Sequence, residues 1–264
     1  MTIVGLSTLY IILREEPFEH VVRDVEHERE EDERPDVWEI VDDAQHPLTH
    51  DNLKLVQSLY SQGYSFTIHS PYSGLNIADL DESRRRESLA RLKRSIESAA
   101  RIEAKALVLH PGMKARDQTI SQRLNEESIV TLYDYAKSFG IVLALENMNP
   151  NTQYFMIEPS EFEEFFERNS IRLRMTFDLG HAHIGSLEKD FVSRLSDKFM
   201  IIHAHDNNGA KDEHLGIGDG SIDWESITTQ LNETNFRGIY IVESFEKPYE
   251  SVARLREMLG PSQS

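Results

Sequence analysis

The chain has 264 residues, which fits one large α/β domain or two small ones, and it contains no cysteine. The absence of cysteine excludes a disulfide framework, a thiolate nucleophile and a cysteine-based zinc finger. The 28 Lys and Arg residues against 46 Asp and Glu residues give a formal net charge of −18. This sign disfavours a general binder of nucleic acid or of anionic membranes.

The amino-terminal sequence MTIVGLSTLYII has neither a basic start nor a small-residue cleavage site. It therefore predicts a buried strand rather than a signal peptide. No apolar run approaches the roughly 20 residues that a bilayer-spanning helix needs. We expect a cytoplasmic protein without a membrane partner.

Eight short apolar runs recur along the chain, each bounded by polar or turn residues. They are Ile3–Leu6, Val37–Ile40, Ser65–His69, Ala106–His110, Ile141–Glu146, Met175–Asp178, Phe199–His203 and Gly238–Glu243. Most are continuous and β-branched, which is typical of parallel strands buried on both faces. Segments of helical length lie between them: Leu89, Leu92, Ile96 and Ala99 form one apolar stripe, and Pro248 opens a last helix.

Eight strand-plus-helix units in 264 residues leave about 33 residues for each unit. This length predicts an α/β fold, a single (β/α)8 TIM barrel, with right-handed connections between parallel strands. An open doubly wound sheet is the competing fold, but the Gly-rich turn that usually follows its first strand is absent here. Because no linker interrupts the pattern, we expect one domain over residues 1–264.

The polar segments near the amino terminus are expected to face solvent. From Arg14 to Asp36 there are eleven acidic and four basic side chains. This stretch predicts a solvated first helix with a charged loop, and an acidic contact surface is the alternative. The histidines of the polar segments are also expected to be exposed; they are His20, His27, His46 and His50.

Ionisable residues collect where the predicted strands end. Strand three ends at His69, strand four at His110, strand five at Glu146 and strand eight at Glu243. Strand six ends near Asp178 and His181, and strand seven near His203, His205 and Asp206. Asp212 and His214 follow shortly after strand seven. In a β/α barrel the carboxyl ends of the strands converge on one mouth, where active sites are built. Burying so many ionisable groups together is costly unless they are paired or bind a metal. The repetition on six consecutive strands therefore predicts a metal site.

The ligand types restrict the chemistry of that site. His, Glu and Asp without thiolate suit Mn²⁺, Mg²⁺, Co²⁺, Fe²⁺ or Zn²⁺. Ligands on different strands leave open positions for a substrate, as in a catalytic site. A serine-hydrolase elbow (G-x-S-x-G) and a Walker phosphate loop are both absent from the sequence, which disfavours those two classes.

Six segments together resemble a known superfamily. They are HSPYSGLNIAD, LHPG, LALEN, FDLGHAHIG, HAHDNNGAKDEHLGIGDGSIDW and IVES. These segments are similar to the xylose-isomerase-like TIM barrels. That superfamily holds sugar and sugar-phosphate isomerases and epimerases together with the endonuclease IV family of abasic-site nucleases. The resemblance runs from about Val37 to the last helix.

In the isomerase and epimerase branch, the resemblance implies one divalent ion (Mn²⁺, Mg²⁺, Co²⁺ or Zn²⁺). Its ligands would be Glu146, Asp178, His203 and Glu243. Glu146 and Glu243 would also act as acid and base on opposite faces of the substrate, through a metal-stabilised enediolate. The resemblance further implies that His69 and His181 orient substrate hydroxyls or hold a second ion. Tyr72 and Trp224 are candidates for an apolar wall, with plain packing as the alternative.

In the nuclease branch, the resemblance implies up to three zinc ions. The further ligands would be His69, His110, His181, Asp212 and His214. The sequence departs from that branch after Glu146, after His181, and between His203 and Asp212, in loops that grip DNA. It also departs from the tagatose-type epimerases, because Asp206-Asn207-Asn208-Gly209 stands where they carry an arginine.

The preferred hypothesis is a metal-dependent isomerase or epimerase of a small sugar, sugar phosphate or related hydroxy-ketone. The expected partner is that small molecule, and nucleic acid is disfavoured. An endonuclease IV-like, zinc-dependent abasic-site DNA phosphoesterase is the alternative, and a non-catalytic ligand-binding member is a third. Since many relatives are dimers or tetramers, the resemblance also implies a homo-oligomer.

A few residues near the candidates are expected to have ordinary roles. His183 and His205 alternate with candidate ligands along the chain, so we expect them to point elsewhere. Glu39 ends the second predicted strand. A position that lines the mouth of the barrel and a position outside the mouth are both left open for it. Gly216, Gly218 and Gly220 are interpreted as turn residues rather than a phosphate cradle.

Overall fold

The computed structural model describes residues 2–260, and eight parallel strands form a closed barrel in chain order, with β1 also paired to β8. The strands are β1 (Ile3–Ser7), β2 (Trp38–Val41), β3 (Phe66–His69), β4 (Leu107–Leu109), β5 (Leu143–Glu146), β6 (Arg174–Asp178), β7 (Phe199–Ala204) and β8 (Ile239–Val242). Each predicted apolar run overlaps one of these strands, and the predicted (β/α)8 TIM barrel is confirmed. The predicted domain, residues 1–264, also includes Met1 and residues 261–264, which lie outside the described residues.

Helices lie between successive strands and after the last. They are α1 (Leu9–Leu13), α2 (Glu19–Glu26), α3 (His50–Ser61), α4 (Glu82–Arg101), α5 (Gln118–Ser138), α6 (Pro159–Asn169), α7 (Leu179–Ile184), α8 (Glu188–Leu195), α9 (Trp224–Glu233) and α10 (Pro248–Leu259), with a 3₁₀ turn at Ser196–Lys198. Asp81 and Asp117 cap α4 and α5 by accepting hydrogen bonds from backbone N–H groups. None of the helices within residues 2–260 is long and apolar enough to cross a bilayer.

Apolar and polar residues divide the inside of the barrel into two levels. Six buried side chains form a separate apolar cluster there: Val37, Ala106, Val108, Ile201, Ile239 and Ile241. The larger core lies between the sheet and the helices, where Leu92, Ile96 and Ala99 of the predicted stripe are buried. Charged side chains gather instead at the carboxyl ends of the strands. The apolar cluster therefore forms a floor beneath the site.

The amino-terminal charged segment forms the predicted helix and charged loop, but the prediction that the helix is solvated holds for one face only. It begins directly after α1 and contains the whole of α2 and a loop with turns, and α2 buries Val21 and Val25 against the barrel. The prediction that His46 faces solvent is wrong. Its side chain is fully buried, with Nε2 2.8 Å from the Glu16 carbonyl oxygen and the ring against Phe18. A local polar composition does not reveal this contact, because it is made across 30 residues.

A buried hydrogen-bonded cluster ties the first two helices to the last one. The Tyr10 hydroxyl of α1 donates to Asp24 Oδ2 of α2 at 2.6 Å. The Tyr249 hydroxyl of α10 lies 2.6 Å from the Tyr10 hydroxyl and 3.1 Å from the same carboxylate oxygen. Burial alone would raise the pKa of Asp24, but the hydrogen bonds from Tyr10 and Arg23 lower it. Asp24 therefore stays ionised and connects α1 and α2 to α10.

Replacing Tyr10 by phenylalanine is expected to lower the free energy of unfolding by about 1–3 kcal/mol, because it removes a hydrogen bond to a buried charge. Urea unfolding followed by circular dichroism measures the change. Tyr135→Phe is the matched control, since that hydroxyl donates to Glu97 at 2.6 Å but lies at the surface. Equal losses in the two variants would contradict a special role for the Tyr10 cluster.

Candidate functional site

Six strands deliver the predicted site residues to one end of the barrel. His69, Glu146 and Asp178 are the last residues of β3, β5 and β6, His203 is the next-to-last residue of β7, and His110 and Glu243 directly follow β4 and β8. The parallel register places Asp178 beside His203 on neighbouring strands. The convergence expected for a β/α barrel is therefore present at the level of individual side chains.

Glu146 lies between histidines of three strands. Its Oε2 atom is 3.0 Å from His110 Nε2 and 3.5 Å from His69 Nε2. Its Oε1 atom is 3.2 Å from His203 Nδ1. The Glu146 side chain is only 2% exposed, so these imidazoles replace water as its polar neighbours.

Three carboxylates converge on a single nitrogen of His203. Besides Glu146, the Nδ1 atom of His203 lies 3.4 Å from Glu243 Oε2 and 3.7 Å from Asp178 Oδ2. All four residues are at most 5% exposed. The four ligands implied by the isomerase resemblance thus form one compact group.

The additional candidate residues form a second group beside the first. Asp212 Oδ2 lies 3.0 Å from His181 Nε2 and 3.5 Å from His214 Nε2. The backbone N–H of His181 donates to Asp178 Oδ1 at 2.6 Å, which links the two groups. Every candidate ligand named from the sequence therefore lies at this one site.

Backbone carbonyl groups orient three of the histidines. The Nδ1 atoms of His69, His181 and His214 lie 3.0, 2.9 and 2.8 Å from the carbonyl oxygens of Ser70, Asn147 and Glu243. An Nδ1–H that donates to a carbonyl leaves the Nε2 lone pair free for a ligand. In all three residues Nε2 faces a carboxylate of the site, which is the orientation of a metal-binding histidine.

The prediction that His205 points away from the site is wrong. Its ring is fully buried, Nε2 lies 3.2 Å from Asp178 Oδ1, and the ring stacks on His214 at 3.8 Å. Gly180 makes room for this ring, because a Cβ atom there would overlap it. Residues two apart on a strand share a face, so the spacing from His203 was a usable signal for His205.

The other neighbouring residues take up separate positions. His183 lies 2.6 Å from Glu188 and 2.9 Å from Ser221, away from the carboxylates of the site. Trp224 is buried and donates its indole N–H to Asp206 Oδ2 at 2.8 Å, so it is not part of the apolar wall. The same oxygen accepts the backbone N–H of Gly218 at 2.9 Å. Asp206 therefore organises the turn that precedes α9 rather than facing a substrate.

Several buried nitrogen and oxygen atoms of the site lack a hydrogen-bond partner. They include Glu146 Oε2, Glu243 Oε1, Asp212 Oδ1 and His203 Nε2. Glu146 Oε2 is close to His110 Nε2 but without hydrogen-bond geometry. Among residues 2–260, five trios of His, Asp and Glu donor atoms lie within 4.8 Å of one another, and His69, His110 and Glu146 form one of them. Unpartnered atoms that crowd around common points fit a bound divalent cation.

The two candidate catalytic glutamates differ in their affinity for a proton. Burial raises the pKa of Glu243 above its ordinary value. Burial alone would have the same effect on Glu146, but the charges of His110 and His203 lower the pKa of Glu146 well below its usual range. Environments that separate the pKa values of two carboxyl groups are typical of an acid and base pair.

A cavity of about 260 Å³ opens onto these side chains. It is lined by Leu9, Val41, His69, Tyr72, His110, Glu146, Met148, Asn149, Thr152, Tyr154, His181, Asp212, His214 and Glu243. Within residues 2–260, no lysine or arginine lines it. Tyr72 stacks on His110 with 5.0 Å between ring centres, which places it in the predicted wall. The cavity is therefore polar on its metal-binding side, partly apolar elsewhere, and free of lysine and arginine within the described residues.

Residues 35–260 match a family model described as a xylose isomerase-like TIM barrel. The chain belongs to this family. A curated relative, an uncharacterised protein of Methanocaldococcus jannaschii, is 31% identical over 234 residues, which cover 85% of this chain and 79% of that protein. This assignment agrees with the resemblance found in the strand-end motifs.

Two further members of the superfamily represent its two branches. The crystal structure of a D-tagatose 3-epimerase-like protein superposes with a TM-score of 0.86 at 28% identity, covering 98% of this chain and 96% of that one. A probable endonuclease 4 of Mycoplasmoides gallisepticum is 25% identical over 180 residues, which cover 62% of this chain and 59% of that protein. Similarity to both branches leaves the choice of reaction to the geometry of the site.

Proposed function

We propose that this xylose isomerase-like barrel is a divalent-metal-dependent isomerase or epimerase of a small polyhydroxy ketone. The observation that carries the proposal is the placement of Glu146 and Glu243. Both carboxylates approach His203 Nδ1, at 3.2 and 3.4 Å, and both line the same cavity. Similarity to the epimerase-like structure over nearly the whole of both chains supports the same branch.

Glu146, Asp178, His203 and Glu243 are the residues that would hold the ion. When bound, Mn²⁺, Mg²⁺, Co²⁺ or Zn²⁺ would polarise a substrate carbonyl and its neighbouring hydroxyl and so acidify the adjacent C–H bond. Glu146, whose low pKa keeps it ionised, takes the carbon-bound proton at one carboxylate oxygen. Glu243, which lines the same cavity, returns a proton from the other side.

The remaining side chains of the cavity bind and orient the substrate. His69 and His181 present Nε2 atoms, fixed by their Nδ1 contacts to backbone carbonyls, to which substrate hydroxyls can bond. The faces of Tyr72 and Met148 cover the apolar side of a sugar ring or chain. This division leaves His110, Asp212 and His214 to support the ligands or to hold further ions.

The cavity favours a neutral substrate over a phosphorylated one. Phosphate recognition requires cationic side chains or free backbone N–H groups, and within residues 2–260 no lysine or arginine lines the cavity. The amide of Gly218 is already bonded to Asp206. A phosphate group would instead meet Glu146, Asp212 and Glu243.

A neutral ketose is therefore expected to exceed its own phosphate ester in kcat/KM by at least about tenfold, because uncompensated like charges cost a few kcal/mol. Exchange of the carbon-bound proton with deuterium oxide, followed by NMR, measures this on matched pairs of ketose and ketose phosphate. The metal-loaded enzyme with each substrate omitted is the blank. A preference for the phosphate esters would overturn the assignment of a neutral substrate, and an absence of exchange across all pairs would overturn the proposed function.

A second candidate is a zinc-dependent phosphoesterase of abasic DNA. It is favoured by His69 and His110, which form a trio of donor atoms with Glu146 and are not among the four ligands of the isomerase site. The lack of lysine and arginine around the cavity, in the part of the chain that the structure describes, disfavours it, because DNA affinity depends on neutralising phosphates. Cleavage of a duplex with one abasic site, by zinc-loaded protein, would establish this second activity.

A further inference from the structure

Glu39 is a carboxylate buried deep inside the barrel that the proposed reaction does not use. It lies on β2 and is completely inaccessible to solvent. The Thr67 hydroxyl donates to its Oε2 atom at 3.1 Å, and its Oε1 atom lies 3.3 Å from His203 Nε2. Neither Glu39 Oε1 nor His203 Nε2 has a hydrogen-bond partner in the described part of the chain, so the two atoms are close to each other but not aligned for a hydrogen bond. A buried carboxylate without a function is costly, so this position needs an explanation.

The two nitrogens of His203 face different groups. Nδ1 faces the candidate ligands, with Glu146 at 3.2 Å and Glu243 at 3.4 Å. Nε2 faces Glu39 on the floor side. A neutral imidazole that donates its Nδ1 lone pair to an ion must carry its proton on Nε2. In this fold, Glu39 Oε1 is the acceptor placed to receive that proton.

We infer that Glu39 is a positioning residue, which accepts the Nε2–H of His203 and so keeps Nδ1 free and correctly aimed to bind a divalent ion. Thr67 holds the Glu39 carboxylate in place through its other oxygen. His203 therefore obtains from a side chain on another strand what His69, His181 and His214 obtain from backbone carbonyls. The inference rests on the proposed metal site but is independent of the substrate.

The test is a metal titration of the chelator-treated protein with Co²⁺, followed by its visible absorption, for the wild type and Glu39→Gln. Glutamine keeps the size of the side chain but accepts the proton less strongly, so we expect the dissociation constant to rise about 10- to 100-fold. The unfolding temperature of the metal-free variant is expected to be equal to or higher than that of the wild type, because a buried charge has been removed. Glu87→Gln, on the exposed face of α4, is the control and should bind Co²⁺ like the wild type.

A dissociation constant within twofold of the wild type would overturn the role of Glu39. A parallel fall in the unfolding temperature of the metal-free variant would also overturn it, because that result indicates a structural role. The loss of one whole ion per chain would overturn it as well, because that result makes Glu39 a ligand. Thr67→Val provides a second test if Glu39→Gln does not fold, with an expected rise of a few fold in the dissociation constant. Wild-type protein that binds no Co²⁺ would contradict the metal site itself, so the two failures are distinguishable.

Discussion

Glu146→Gln is expected to abolish exchange of the carbon-bound proton of the substrate, with a loss of about 10³-fold or more in turnover. The carboxylate lies at the end of β5 and lines the cavity, and its lowered pKa keeps it ionised and able to accept a proton from carbon. Glutamine has nearly the same shape but no basic oxygen. NMR detection of deuterium incorporation measures the exchange directly.

Metal content must be measured on the same samples, since Glu146 is also a candidate ligand. A variant that keeps its ion but loses exchange isolates the role of Glu146 as the base. Glu87→Gln serves again as the control, because that side chain is exposed and distant in sequence from every strand end. Unchanged exchange in metal-loaded Glu146→Gln would remove Glu146 from the reaction.

The barrel was predictable because its strands are buried on both faces. Continuous apolar runs such as Ala106–His110 and Gly238–Glu243 mark the strands without an alternating pattern. Each overlaps an observed strand, β4 and β8 respectively. The grouping of Glu146, Asp178 and Glu243 followed from the same reasoning, since parallel strand ends meet at one mouth.

The less predictable residues depend on register and on contacts between distant segments. Glu39 faces the floor side of His203 because the register of β2 on β3 places it beside Thr67, two residues below the strand end, and local sequence does not specify this register. His46 is buried by a contact with Glu16 and Phe18 across a loop. Asp206, which stands where the tagatose-type epimerases carry an arginine, binds the backbone of its own loop and Trp224. His205 differs from these residues, because its position two residues after His203, at the end of β7, is visible in the sequence.

The protonation of the site in the absence of metal makes metal affinity depend on pH. Burial alone would lower the pKa of His69, but the contact with Glu146 and its charge raise the pKa to about 9. Burial opposes protonation of the proposed ligand His203 as well, yet the charges of Glu243, Glu39 and Glu146 raise its pKa well above the ordinary value. A histidine must lose its proton before it binds an ion. Raised pKa values therefore mean that affinity increases as the pH rises from 6 towards 9.

Removal of the ion by a chelator is expected to abolish activity and to lower the free energy of unfolding by about 4 kcal/mol when the ion is present at 1,000 times its dissociation constant. Thermal unfolding with and without chelator, at pH 6 and pH 8, measures the difference, which should be larger at pH 8. Element analysis of protein purified without chelator gives the number of ions. We expect one ion per chain, retained in His110→Ala, since Glu146, Asp178, His203 and Glu243 form a complete site. Two or three zinc ions, reduced in number by His110→Ala, would move the assignment to the nuclease branch.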